Sequence, residues 1–184
     1  KKKNEGNTKK NLILVEFNNF TANHIGLSYL SNILKKKYNA KIIAYFGHVL
    51  LTYNLERNFL TRFKILIGSL FGLNFFGVYK SFGVCNFFYP KITRDISLKK
   101  DKYFTIFKKK VKSLKDLERF KLSGVQIGDL LYDTYLKKNY DLIPTINLKD
   151  EKFLDFTKKF IILFLIWQKF FKENKIKSVI ASHS

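Results

Sequence analysis

Short apolar runs alternate along this chain with longer stretches in which apolar residues recur every three or four positions. The short runs lack helical spacing and are bounded by polar residues, which is typical of strands covered on both faces of a parallel sheet. Three such runs predict β-strands: NLILVEF at 11–17, AKIIAYF at 40–46 and IKSVIA at 176–181.

The segment between the first two predicted strands has helical spacing. Leu27, Leu30 and Leu34 recur every three or four residues, and a second apolar row runs beside them. Asn23 is a candidate N-cap, and three lysines at 35–37 suit the negative end of the helix dipole. A strand, helix and strand of this total length form one βαβ unit, which predicts a parallel sheet.

The middle of the chain is predicted to be mainly helical. Helical spacing extends over residues 55–70, 99–120 and 150–174, and a further helix is predicted to begin near Gly128. Ser123 and Gly124 are predicted to end the second of these helices, and residues 73–89 are predicted to be a loop with a short strand. The expected fold class is α/β, a Rossmann-like parallel sheet flanked by many helices.

Composition excludes several classes of protein. The chain has 184 residues, 46% of them hydrophobic, so it is too apolar for a disordered basic tail. A single Cys excludes an internal disulfide framework, and no apolar run reaches the roughly 18 residues of a membrane-spanning helix. The expected organisation is a basic arm at residues 1–10 followed by one domain at 11–184, in a cytoplasmic protein. The missing Met and an end directly after a strand predict that this is the front part of a longer protein.

The net charge of +21 comes from 35 Lys plus Arg against 14 Asp plus Glu. Only four of the basic residues are Arg, which is the residue best suited to bidentate contacts with bases and phosphates. The lysines therefore either solvate the outer faces of the protein or attract an anionic surface or substrate. Residues 1–10 and the run Lys108, Lys109 and Lys110 are the expected contacts for the anionic, inner face of a membrane.

Candidate chemistry lies first at the ends of the predicted strands, where ligands bind in open parallel sheets. Polar residues follow all three strands: Asn18, Asn19, Thr21 and His24 after the first, Gly47 and His48 after the second, and Ser182, His183 and Ser184 after the third. If the strands are neighbours, these groups converge on one crevice. The alternative is that they are ordinary turns and caps. The three His are too scattered in sequence to predict a metal site.

A second candidate is the segment IGDLLYDTYL at 127–136. Asp129 and Asp133 are four residues apart and share one helix face, where two carboxylates can hold a sugar hydroxyl or act as a base. Tyr132 and Tyr135 add aromatic faces and phenol donors. The alternative is structural, with Asp129 capping the helix and Asp133 paired with Lys137.

Three segments together resemble a known family: IGDLLYDTYL, NNFTANHIGLSYLSNIL after the first strand, and VIASHS at the end. They are similar to the N-terminal half of bacterial surface-polysaccharide glycosyltransferases of the two-Rossmann-domain (GT-B) type. The resemblance covers most of residues 11–184, and GDLLYDTYL is its most specific piece. It implies transfer of a sugar from a nucleotide-sugar donor to a cell-surface polysaccharide or lipid-linked acceptor held mainly by this half. The donor would bind the other half, and no metal or other cofactor is expected here.

The resemblance and the strand ends together select the expected site residues. His24, Asp129 and His183 are the predicted acceptor contacts or catalytic base. The predicted substrate-binding residues are Asn18, Asn19, Thr21, Tyr132, Asp133 and Ser182. The competing hypothesis is a basic binding module for nucleic acid or another anionic partner, although the low Arg content argues against specific nucleic-acid binding.

Overall fold

The computed structural model describes residues 10–17, 21–46, 79–80, 82–88, 90–138 and 145–181. The chain divides into two compact units, the first formed by Lys1–Pro90 with Lys169–Ser184 and the second by Lys91–Gln168. The helix predicted over residues 55–70 lies outside the described residues. Among the helices described, none is both long and apolar enough to cross a membrane.

The first unit is built on a four-stranded sheet. Its elements are β1 (Asn11–Phe17), α1 (Thr21–Tyr38), β2 (Ala40–Phe46), β3 (Val84–Phe88) and, near the end of the chain, β6 (Lys175–Ile180). The strand order is β3-β2-β1-β6 and every pair is parallel. The predicted strands and the predicted βαβ unit are confirmed, and the arrangement is an α/β fold consistent with a Rossmann-like architecture.

One face of this sheet forms the core against α1. Because side chains alternate along a strand, Ile13 and Val15 of β1 point to the same face as Ile42 of β2, with which Ile13 is in register. These residues pack in one cluster with Leu27 of α1 and with Tyr79. Of the predicted row, Leu27 is buried in this cluster and Leu34 packs against it, whereas Leu30 is 44% exposed.

Asn23 was predicted to be the N-cap of α1, and this prediction is wrong. The helix begins at Thr21, so Asn23 lies inside its first turn. Residues 18–23 contain four side chains of the cap-forming type, and this signal cannot select one among them. The lysines at the C-terminal end lie in the last turn as predicted.

The second unit is mainly helical. It contains α2 (Arg94–Lys110), α3 (Leu114–Glu118), a small hairpin of β4 (Lys121–Leu122) and β5 (Val125–Gln126), α4 (Gly128–Lys138) and the larger part of α5 (Glu151–Glu173). The predicted starts of α4 and α5 agree with the structure to within one residue. Its aromatic core brings the Phe107 ring within 5.2 Å of Phe120 and 6.3 Å of Phe153, measured between ring centroids.

The single helix predicted over residues 99–120 is wrong. The first helix ends at Lys110, and Ser113 opens a second one by accepting a hydrogen bond from the backbone N–H of Asp116. The Asp116 carboxylate accepts in return from the Ser113 hydroxyl and from the backbone N–H groups of Lys112 and Ser113; these bonds complete a capping box and lower the pKa of Asp116. The apolar periodicity continues across the break, and it concealed the cap.

The turn at Ser123 and Gly124 does not end a helix. Both residues have positive φ, 51° and 83°, and they connect the antiparallel strands β4 and β5. Two consecutive residues with positive φ are typical of a type I′ hairpin turn, in which glycine is the favoured residue. The Ser123 hydroxyl is also hydrogen-bonded to the Tyr103 hydroxyl of α2 at 2.8 Å.

Candidate functional site

Three strands of the sheet end side by side at its carboxyl edge. The order β2-β1-β6 makes these strands neighbours, with Phe17 in register with Phe46 and Val15 in register with Ile180. The sequence analysis required these strands to be parallel neighbours for their polar ends to converge, and they are. The predicted site residues that follow them, Asn18, Asn19, His48, Ser182 and His183, lie outside the described residues, as does the side chain of Thr21.

The strand order places a topological switch point beside β1. The chain runs from β1 outward to β2 and β3, and then returns to add β6 on the opposite side of β1. In open α/β sheets the crevice for ligands lies outside the carboxyl ends of the strands where the order reverses. That rule assigns the candidate site of the first unit to the carboxyl ends of β1 and β6.

His24 lies in the first turns of α1 and is half-buried against an aromatic pair. Its imidazole meets Tyr79 edge-on with ring centroids 5.3 Å apart, and Phe82 at 6.1 Å. The Tyr79 hydroxyl donates a hydrogen bond of 3.0 Å to the backbone carbonyl of Glu16, the next-to-last residue of β1. The Tyr79 ring therefore links the His24 imidazole to the end of β1.

Glu16 is a residue of this edge that the sequence reasoning missed. Its side chain is 7% exposed, although it carries a carboxyl group. In the sheet register it stands opposite Tyr45 of β2, whose side chain is 8% exposed. A charged residue inside the apolar run NLILVEF was the available signal, because carboxylates are seldom buried without a partner.

Burial and the negative charge of Glu16 raise the pKa of Tyr45 from 10.0 to about 12. Burial is the larger cause, because a phenolate loses its hydration inside the protein. At physiological pH Tyr45 is a neutral phenol, as an ordinary tyrosine is, and its raised pKa keeps it protonated to higher pH. Glu16 and Tyr45 together give the carboxyl edge an acceptor and a donor on neighbouring strands.

Tyr45 is expected to make the protein less stable as the pH rises from 10 to 12. In this window the unfolded chain, with a tyrosine pKa near 10, releases the Tyr45 proton while the folded protein still holds it. Urea unfolding across this range should show a steeper loss of stability for the wild type than for Tyr45→Phe. The exposed Tyr29 supplies the matched control Tyr29→Phe, which should follow the wild type. Equal slopes for all three proteins would contradict the assignment.

In the second unit, Asp129 and Asp133 lie on α4 with both side chains exposed. Asp129 is the second residue of the helix rather than its cap, and its carboxylate accepts a 2.9 Å hydrogen bond from the backbone N–H of Leu130. The alternative ion pair between Asp133 and Lys137, both of them described residues, is not formed. Tyr132, between them in sequence, is half-exposed. The structural alternative is therefore wrong for Asp133 but holds in part for Asp129, which satisfies a first-turn N–H from the second helix position rather than from the cap.

Tyr135 does not offer the open aromatic face that the sequence suggested. It is buried, with its ring 5.0 Å from Phe153 and 5.3 Å from Phe156 between centroids. Its hydroxyl donates to the Asp150 carboxylate at 3.2 Å, and burial together with this contact raises the pKa of Tyr135. Tyr135 therefore fixes α4 to the start of α5.

The lysine run at the end of α2 was expected to contact the anionic face of a membrane. Lys108, Lys109 and Lys110 are exposed at the end of α2, and Lys108 lies over the Phe104 ring, 5.7 Å from its centroid. Their contact with an anionic membrane stays a prediction. Across the described ranges, no three His, Cys, Asp or Glu side chains are grouped so as to hold a metal ion.

Comparison with known proteins identifies no relative. No family model matches the chain, and neither the curated proteins nor the solved structures give a significant match.

Proposed function

We propose that this chain is the acceptor-binding domain of a metal-independent GT-B glycosyltransferase that extends a bacterial cell-surface polysaccharide or a lipid-linked saccharide. The observation that supports the proposal is the parallel order β3-β2-β1-β6, since it places the switch point, where open α/β sheets bind ligands, at the ends of β1 and β6. The resemblance of residues 127–136 to these transferases adds the chemical class. The nucleotide-sugar donor would bind the partner domain of such an enzyme.

The groups at the carboxyl edge suit a saccharide. A sugar presents hydroxyl groups that both donate and accept hydrogen bonds, and apolar C–H faces that pack on aromatic rings. In the first unit the half-buried His24 imidazole would contact the acceptor, while the Glu16 carboxylate and the Tyr45 phenol are buried behind this edge of the sheet. In the second unit, considered by itself, the exposed carboxylates of Asp129 and Asp133 on α4 can accept hydrogen bonds from sugar hydroxyls.

The proposed reaction is a displacement at the anomeric carbon. The acceptor hydroxyl oxygen forms a bond to that carbon, and the bond from the carbon to the diphosphate oxygen breaks with its electron pair leaving on the nucleoside diphosphate. His24, Asp129 or His183 takes the hydroxyl proton as general base, a contribution of about 10²–10⁴-fold in rate. Asn18, Asn19, Thr21, Tyr132, Asp133 and Ser182 would orient the acceptor.

The test is acceptor-dependent turnover by the full-length protein. A panel of nucleotide sugars is incubated with lipid-linked saccharides, and release of nucleoside diphosphate is measured with and without a chelator. The expected result is release with at least one donor, requiring acceptor and unaffected by the chelator. No acceptor-dependent release from any donor, together with tight and salt-sensitive retention on random oligonucleotides, would instead establish the basic binding module.

A further inference from the structure

The outer side of α1 presents an apolar surface to solvent. Ile25 is 80% exposed and Tyr29 72%, while Leu30 and Ile33 are each 44% exposed. Ile25, Tyr29 and Ile33 follow one another at intervals of four residues, so they form a row along one side of the helix. Single exposed hydrophobic residues are common, but a row of three with Leu30 beside it, on a helix that already packs its other side on a sheet, indicates an interaction surface.

The charged side chains of α1 are all lysines, so the helix carries only positive charge. Lys36 and Lys37 are exposed in its last turns, on the side of the apolar row, because Lys37 is four residues beyond Ile33 and Lys36 is three turns beyond Ile25. No Asp or Glu occurs anywhere from Thr21 to Tyr38. The α1 face, defined as Ile25, Tyr29, Leu30, Ile33, Lys36 and Lys37, therefore combines apolar contact area with positive charge.

We propose that the α1 face docks on the surface of an anionic lipid bilayer. The four apolar side chains would lie at the boundary between headgroups and acyl chains, with the two lysines against the lipid phosphates. An interfacial helix requires this combination, and the net charge of +21 attracts the whole chain to such a surface. A second copy of the chain is a poor occupant, because two molecules of +21 repel each other. This inference does not depend on sugar transfer.

The experiment compares vesicles of phosphatidylcholine with vesicles that also contain phosphatidylglycerol, using co-sedimentation of the full chain. The wild type should bind only the anionic vesicles. Ile25→Ser and Ile33→Ser should each weaken that binding on the order of tenfold, because each removes a side chain that the bilayer buries. Lys36→Gln and Lys37→Gln should each weaken it about fivefold.

Leu98→Ser is the matched control, since Leu98 is 64% exposed on α2 but lies outside the α1 face. It should bind like the wild type, and all variants should melt like the wild type because the changed side chains are exposed. Three outcomes would overturn the proposal: no binding to anionic vesicles, binding that Ile25→Ser and Ile33→Ser leave unchanged, or self-association of the wild type that Ile25→Ser abolishes. In the second case charge alone holds the protein on the membrane, and in the third a second copy covers the face.

Discussion

Gly128→Ala should destabilise the protein by about 3 kcal/mol or more, because no room exists for a methyl group at the start of α4. An alanine Cβ at this position would lie 1.6 Å from the backbone carbonyl oxygen of Leu117 and 3.1 Å from that of Glu118. The obstacle is the main chain of α3, which cannot move aside as a flexible side chain does. The N–H of Gly128 also donates to the carbonyl of Phe120 at 3.2 Å, which holds the two segments together.

Gly26→Ala is the matched control for this substitution. Gly26 lies within α1, and an added Cβ would meet nothing within 4 Å. Since alanine is favoured over glycine in a helix interior by about 0.8–1 kcal/mol, this variant should be slightly more stable than the wild type. Urea unfolding followed by circular dichroism measures both changes. A Gly128→Ala protein as stable as the wild type would contradict the close approach of α3 and α4.

His24→Ala and Asp129→Asn are expected to reduce sugar transfer strongly if these residues contact the acceptor. Loss of the general base costs about 10²–10⁴-fold in rate, and loss of a contact that only positions the acceptor costs less. His24 is half-buried in the first turns of α1, while Asp129 is exposed near the start of α4. Initial rates at saturating and at limiting acceptor separate the two roles, since a base affects kcat and a binding contact affects KM.

Asp155→Asn provides the comparison for these variants. Asp155 forms an ion pair of 2.7 Å with Lys159 on α5, and both side chains are substantially exposed. Its replacement should leave the transfer rate at the wild-type value. If His24→Ala and Asp129→Asn also leave the rate unchanged in an active enzyme, the assignment of these site residues is wrong even though the function is right.

The strands were predictable because each is a short apolar run with a sharp polar boundary. The run NLILVEF is bounded by Lys10 and Asn18, and the described strand begins and ends with it. The pairing of β1 with β6 was beyond the sequence, because nothing local records which distant strand is a neighbour. From the sequence we could predict only that the polar strand ends converge if the strands are neighbours. The strand order shows that β2, β1 and β6 are neighbours.

Errors arose where two signals competed over the same residues. The apolar spacing over residues 99–120 persists through Val111, although Ser113 and Asp116 form the cap of a new helix. Periodicity is summed over many residues, whereas a cap is decided by one or two hydrogen bonds, so the longer signal prevailed. Glu16 was overlooked for a similar reason, since one carboxylate does not alter the apolar character of its run.

The position of β6 also constrains how the molecule can assemble. β1 and β2 pair across a short connection, whereas the pairing of Leu12 with Ile176 brings together residues separated by roughly 160 positions of chain. Contacts of such long range form slowly, because the intervening chain loses conformational entropy before the contact provides any stabilising free energy. If the second unit, Lys91–Gln168, folds first, less flexible chain remains between β1 and β6, and the entropy cost of pairing them is smaller. The switch point at the carboxyl edge is thus expected to be among the last features of the molecule to be completed.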